Sequence, residues 1–249
     1  MRPYDCVVRT PRALLFDLDG TLLAGSGDPE AIRRTCVVLA EAQPALDANA
    51  LVRINAEVWA RYWPTVEQAW TLGRLASDAL GMEVWRRTLR ANGLDDETLV
   101  RLARSTHRKF QAAALHFYDD ARALLDALPK AMRIGIVSNG ASDTKRLELQ
   151  ALGMERRVSA VVISGEVGAA KPDPAVFRVA LDQLGLAPED VWHIGDSVTT
   201  DVLGALRAGV TAIWLNREGA SSERRGIVPD LEIHALTELV PMLTHGFAK

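Results

Sequence analysis

Short apolar runs alternate with longer amphipathic stretches at the start of the chain and through its second half, and a block of purely helical pattern lies between them. Arg12 to Phe16 is the first run and reads as a strand. Ala24-Gly25-Ser26-Gly27-Asp28-Pro29 is a breaker-rich exit from it. From Glu30 to about Ala114 apolar positions recur at helical spacing, with Ala-rich and Arg-rich faces and no strand. Pro44, Pro64, Gly81 and Gly93 are expected to divide that block into several helices. The alternation resumes after His116-Phe117-Tyr118. Strands are predicted over Arg133–Val137, Ala160–Ile163, Val191–Ile194, Thr211–Leu215 and Leu231–Ile233. Helices are predicted over Asp119–Leu128, Asp143–Leu152, Pro174–Leu184 and Thr200–Ala208, with a last one from about Leu236. Strands alternating with helices imply a parallel sheet covered on both faces. The expected architecture is α/β: a doubly wound sheet core from residues 1–23 and 115–249, with an all-α insert over residues 24–114.

Composition narrows the class. The chain has 249 residues, 48% of them hydrophobic, and a net charge of −3. That is enough apolar material for a sizeable core, and it provides no basic footprint for a nucleic acid polymer. Cys6 and Cys36 lie in unrelated contexts, so a disulfide is not suggested and a reduced compartment is the default. Met1 to Arg12 lacks the long apolar run of a signal peptide, and no stretch is long enough to span a bilayer. A cytoplasmic protein with no membrane partner is expected.

In open parallel sheets ligands bind at the carboxyl ends of the strands, and the residues there form a consistent set. The first strand runs into Asp17-Leu18-Asp19-Gly20-Thr21, the next into Ser138-Asn139-Gly140. The third is followed by Lys171-Pro172-Asp173-Pro174, the fourth by Gly195-Asp196-Ser197 with Asp201 just beyond. Strand alternation would put Asp17 and Asp19 on one side, unless the backbone leaves strand geometry between them. Two neighbouring carboxylates need a cation, a shared proton or bulk solvent to relieve their repulsion, and Mg²⁺ with a phosphate group would suit this pair. A carboxylate can attack phosphorus, and a second can hand a proton to the leaving oxygen. Ser138 can donate to a phosphoryl oxygen, Lys171 can neutralise its charge, and Asp196 with Asp201 can add oxygen ligands for Mg²⁺.

These four segments, in this order, resemble the four motifs of the haloacid dehalogenase-like hydrolase superfamily. The resemblance implies a Rossmann-like core with a helical cap at 24–114. It implies Asp17 as nucleophile and Mg²⁺ ligand, and Asp19 as general acid and base whose backbone carbonyl also binds the metal. Asp196 would be a direct ligand, and Asp201 would support the site through water or Lys171. Backbone amides near Leu18 and Asn139 would hold the phosphate alongside Ser138 and Lys171. The implied activity is hydrolysis of a small phosphorylated metabolite, a sugar phosphate or nucleoside monophosphate, by a monomer or homodimer.

Alternatives within the superfamily remain. A sugar-phosphate mutase uses the same core. A 2-haloacid dehalogenase has no alkoxide to protonate and lacks the second acid of the first motif, so Asp19 argues against it. Phosphonate cleavage by the family uses a cap lysine, and here only Lys109 is near the cap. A non-catalytic binding module with the same fold is the reading from another class. Trp59, Trp63, Trp70 and Trp85 in the insert are expected to pack between its helices, the sharper reading being that one ring lines a substrate pocket. His193 is expected to be a packed strand residue, and Arg33, Arg34, Arg86 and Arg87 a solvated face.

Overall fold

β1 (Ala13–Phe16) is buried at all four positions because it lies in the interior of the sheet, between two other strands. The computed structural model describes residues 10–27, 29–219 and 226–244, so Cys6, Asp28 and His245 lie outside the described residues. After β1 the chain runs through β2 (Leu23–Ala24) into α1 (Pro29–Ala42), α2 (Ala48–Thr71), α3 (Ser77–Ala91) and α4 (Glu97–Ala114). It returns through β3 (His116–Phe117) to α5 (Asp119–Ala127), β4 (Arg133–Ser138), α6 (Ser142–Ala151), β5 (Ala160–Ile163) and α7 (Ser164–Val167). It then continues through α8 (Pro174–Leu184), β6 (Val191–Gly195), α9 (Leu203–Ala208), β7 (Thr211–Leu215), β8 (Leu231–Ile233) and α10 (Val240–Thr244).

The six-stranded sheet has the order β5-β4-β1-β6-β7-β8, and every pairing in it is parallel. The register sets Phe16 beside Ile136 and Ile194, so β1, β4 and β6 end along one edge. Alternation divides the apolar residues between two faces. Leu14, Phe16, Ile134, Ile136 and Ile194 join α5 and α6 residues such as Leu124 and Leu149. Ala13, Leu15, Val137 and Val191 join Phe177 and Leu181 of α8 and Ala205 of α9. Burying a side chain such as Leu15 or Ile136 contributes about 1.5–3 kcal/mol.

Helices α1 to α4 lie between β2 and β3 and enclose an apolar core of their own, built on Cys36, Leu39, Leu51, Trp85, Leu89 and Val100. Asp47 and Asp96 cap α2 and α4 by accepting from Ala50 N and Thr98 N. Two of the expected breakers do not break a helix. Pro64 lies inside α2 on its exposed side, where water can take the carbonyl that the ring leaves unpaired. Gly81 lies inside α3, and a Cβ there would come 2.6 Å from Arg104 Nε on α4, so the glycine serves close helix packing. The junction with the core is an antiparallel pairing of β2 with β3, and a Cβ on Gly25 would strike the Ala114 carbonyl oxygen at 2.1 Å. Among the described residues no helix is long and apolar enough to cross a membrane.

Candidate active site

The strand ends at Phe16, and a turn rather than strand alternation places the two acids of the first motif. Asp17 N still donates to Ile194 O at 2.9 Å, extending the contact with β6. Leu22 N and Leu23 N then close back onto Leu18 O at 3.0 and 2.8 Å. Gly20 has φ +73, a left-handed conformation that glycine adopts without strain. Arg217 braces this turn by donating to Thr21 O at 3.0 Å while paired with Asp120 at 2.8 Å.

Asp17 meets Lys171 at the end of β1. Lys171 Nζ donates to Asp17 Oδ1 and to Asp201 Oδ1, both at 2.7 Å, and all three residues are buried. Asn139 fixes the lysine backbone: its Oδ1 accepts from Lys171 N at 2.8 Å and its Nδ2 donates to Lys171 O at 3.0 Å. Asp201 also accepts from Ser197 N at 3.1 Å and bonds His193 Nε2 at 2.9 Å. A single π-type turn over Val198–Val202 carries Asp201 back against the sheet. Burial alone would raise the Asp201 carboxyl, but Lys171 and His193 outweigh it and hold it well below the usual range. His193 does pack, edge-on to Phe177 at 4.9 Å, yet it is also this partner of Asp201, a role beyond the packing that its place in a strand predicts.

Carboxylate oxygens of Asp17, Asp196 and Asp201 lie within 4.8 Å of one another. Asp201 is already engaged by a lysine, a histidine and a backbone amide, which leaves Asp17 and the exposed Asp196 as the open pair. Burial, then Asp201 and Asp19, push Asp17 up to about 7 against the pull of Lys171. Asp196 is pushed up to about 6, first by desolvation and then by Asp201. A Cβ on Gly20 would lie 2.4 Å from Asp196 Oδ2, so this carboxylate packs directly on the turn of the first motif. An all-oxygen set with two under-compensated acids fits a hard divalent cation such as Mg²⁺. Ser138 Oγ is buried without a hydrogen-bond partner among the described residues, a costly state that a phosphoryl oxygen would relieve.

Asp19 stands apart from that cluster. Its Oδ2 accepts from Lys145 Nζ, which also donates to Glu148 Oε2 at 2.8 Å. Lys145 and Glu148 are buried on α6, and neither was singled out from the sequence. Lys145 is one of only five lysines in the chain, a scarcity that by itself does not tell a buried lysine from a solvated one. Burial, opposed by Lys145, pushes Glu148 up to about 7.

Asp19 and Lys145 border a cleft of about 1200 Å³ between the α1–α4 unit and α6. Trp59, Trp63, Trp70 and Trp85 all line it, and Trp85 does so while buried in the helical core. Lys109 is exposed on its border. The arginines expected on a solvated face are surface pairs: Arg33 with Glu30, and Arg86 and Arg87 with Glu83. Arg34 lies over the Phe110 ring.

The family profile of haloacid dehalogenase-like hydrolases matches residues 11–209, a span that includes every residue of this cluster. The chain belongs to that family. This hydrolase is 34% identical over 248 residues to the phosphoserine phosphatase of Thermus thermophilus, a match covering 92% of this chain and 97% of the relative. It is 29% identical over 218 residues to the glyceraldehyde 3-phosphate phosphatase of Methanothermobacter thermautotrophicus, covering 86% and 89%. Among solved structures it is similar to the HAD hydrolase YfnB of Bacillus subtilis bound to magnesium. That match has a TM-score of 0.65 at 26% identity and covers 95% of this chain and 100% of the other. A 2-haloacid dehalogenase of Pseudomonas syringae gives the same TM-score of 0.65 and 26% identity, covering 95% and 99%.

Proposed function

We propose that this hydrolase is a Mg²⁺-dependent phosphatase of small phosphorylated metabolites, working through an aspartyl phosphate on Asp17. The observation that carries this reading is the division of the two acids between two lysines, Asp17 with Lys171 and Asp19 with Lys145. A nucleophile needs to be anionic and oriented; a proton carrier needs to stand apart from it. The phosphatases among the relatives support the same reading.

In the first step a carboxylate oxygen of Asp17 bonds to phosphorus, the bond from phosphorus to the leaving oxygen breaks, and Asp19 gives that oxygen its proton. In the second step Asp19 takes a proton from water, whose oxygen bonds to phosphorus as the bond to Asp17 breaks and phosphate leaves. Lys171, Ser138 and the backbone amides near Leu18 and Asn139 hold the phosphoryl oxygens throughout. Asp17 and Asp196, with the Asp19 carbonyl, would hold the Mg²⁺, which when bound offsets repulsion between the anionic nucleophile and the anionic substrate. Asp201 orients Lys171. The α1–α4 unit acts as a cap that excludes water and reads the leaving group, hinged at Gly25-Ser26-Gly27 and at residues 114–119.

Phosphate release from a panel of phosphomonoesters, with Mg²⁺ and with EDTA, tests this. Turnover that needs Mg²⁺ is expected. Halide release from 2-haloacids without phosphate release would favour a dehalogenase, a chemistry that has no use for the proton of Asp19.

A further inference from the structure

We propose that the cleft takes a leaving group carrying an aromatic or heteroaromatic ring, stacked on the tryptophans of α2. This rests on the phosphatase reading above and names the substrate class of the same site. Trp59, Trp63 and Trp70 line a cleft that Asp19 borders. The Trp59 and Trp63 rings stack at 5.0 Å with planes 16° apart, and Trp63 meets Trp70 edge-on at 5.3 Å. The inner end of this ladder touches the catalytic edge: a Cβ on Gly140 would come 2.7 Å from Trp70 Cη2. Trp70 Nε1 is already committed to Ser77 Oγ at 2.8 Å, so Trp70 offers the cleft its ring rather than a donor.

The outer end is partly open among the described residues. Trp59 is 42% exposed and Leu147, also lining the cleft from α6, is 50% exposed. Two large apolar side chains bordering one concave site mark it for an apolar occupant. The cleft's volume of about 1200 Å³ far exceeds what a leaving group of a few heavy atoms, such as serine, would fill. A ring stacked on tryptophan adds about tenfold or more in affinity.

The test is kcat/KM of the full chain with Mg²⁺ for adenosine and uridine 5′-monophosphates, benzyl phosphate and ribose 5-phosphate. The nucleotides and ribose 5-phosphate share one kind of leaving oxygen and differ in the base; benzyl phosphate distinguishes an aryl ring from a nucleobase. A ring-bearing substrate is expected to exceed ribose 5-phosphate by about tenfold or more. Trp59→Leu and Trp63→Leu should erase most of that ratio, whereas Trp63→Phe should keep it. If Trp63→Leu does not fold, Leu147→Ser and Trp59→Leu at the open lip give the same reading. Equal or better turnover of ribose 5-phosphate overturns the proposal and leaves the phosphatase reading standing. If no ester is hydrolysed, the phosphatase reading fails, and tryptophan fluorescence then decides the ring site. Quenching by uridine 5′-monophosphate or benzyl phosphate, but not by ribose 5-phosphate, upholds it; no selective quenching overturns it.

Discussion

Lys145 Nζ donates to the carboxylate of Asp19 and, at 2.8 Å, to Glu148 Oε2. Burial would lower the ammonium's pKa, but Asp19 and Glu148 outweigh it and keep the lysine charged. Lys145→Met would leave Glu148 buried and unpaired, at a cost of about 3–5 kcal/mol. Lys145→Met with Glu148→Leu should recover much of that. Urea unfolding of the two variants checks it, and a single variant as stable as the wild type would contradict the pairing.

Asp196 and Asp201 are both close to Asp17, and of the two Asp201 is already held by Lys171 and His193. Asp196→Asn is expected to weaken Mg²⁺ binding about tenfold or more, whereas Asp201→Asn should mainly cost stability, by taking from buried Lys171 one of its two carboxylate partners. Calorimetric Mg²⁺ titrations beside unfolding curves separate the two. A larger affinity loss in Asp201→Asn would overturn the ligand set.

Asp17 is pushed up to about 7 and Asp196 to about 6, each from an ordinary value of 3.8. The folded state therefore holds these protons more tightly than the unfolded chain, so their contribution to stability falls as pH climbs from about 4 to about 7. A cation must displace the same protons. Mg²⁺ affinity should rise as pH rises from about 5 to about 7.5, with proton release on binding at the lower end. An affinity that is flat over this window would count against the assignment.

Gly20 carries two constraints at once, φ +73 and an Asp196 oxygen 2.4 Å from where a Cβ would sit. Gly20→Ala should strain the turn by about 1 kcal/mol and push Asp196 aside. Activity is expected to fall more than stability, and the ratio of kcat/KM to the change in Tm checks it.

The core strands were legible because each is a short apolar run bounded by breakers, and the polar residues at their ends stand out against it. Asp17, Lys171, Asn139 and Asp196 sit where that pattern put them. Lys145 was not legible, because a lysine in the first turns of an amphipathic helix reads as solvated unless its burial is known. Arg217 lies far from the first motif in sequence, and only the fold brings it onto Thr21. Pro64 and Gly81 misread as breaks because solvent exposure and close helix packing decide what those residues do. The cleft face of Trp59, Trp63 and Trp70 has the same helical spacing as a packing face, so periodicity could not separate the two uses.

On this mechanism Asp17 carries the phosphoryl group between the two steps. Rapid mixing of Asp19→Asn with an aryl phosphate, whose leaving oxygen needs little proton help, should let the acyl phosphate accumulate. Borohydride reduction followed by peptide mass analysis then reads the site, because an aspartyl phosphate is reduced to homoserine. Homoserine is expected at position 17 alone. Phosphate release with Asp17 unreduced, or reduction at another carboxylate, would contradict it.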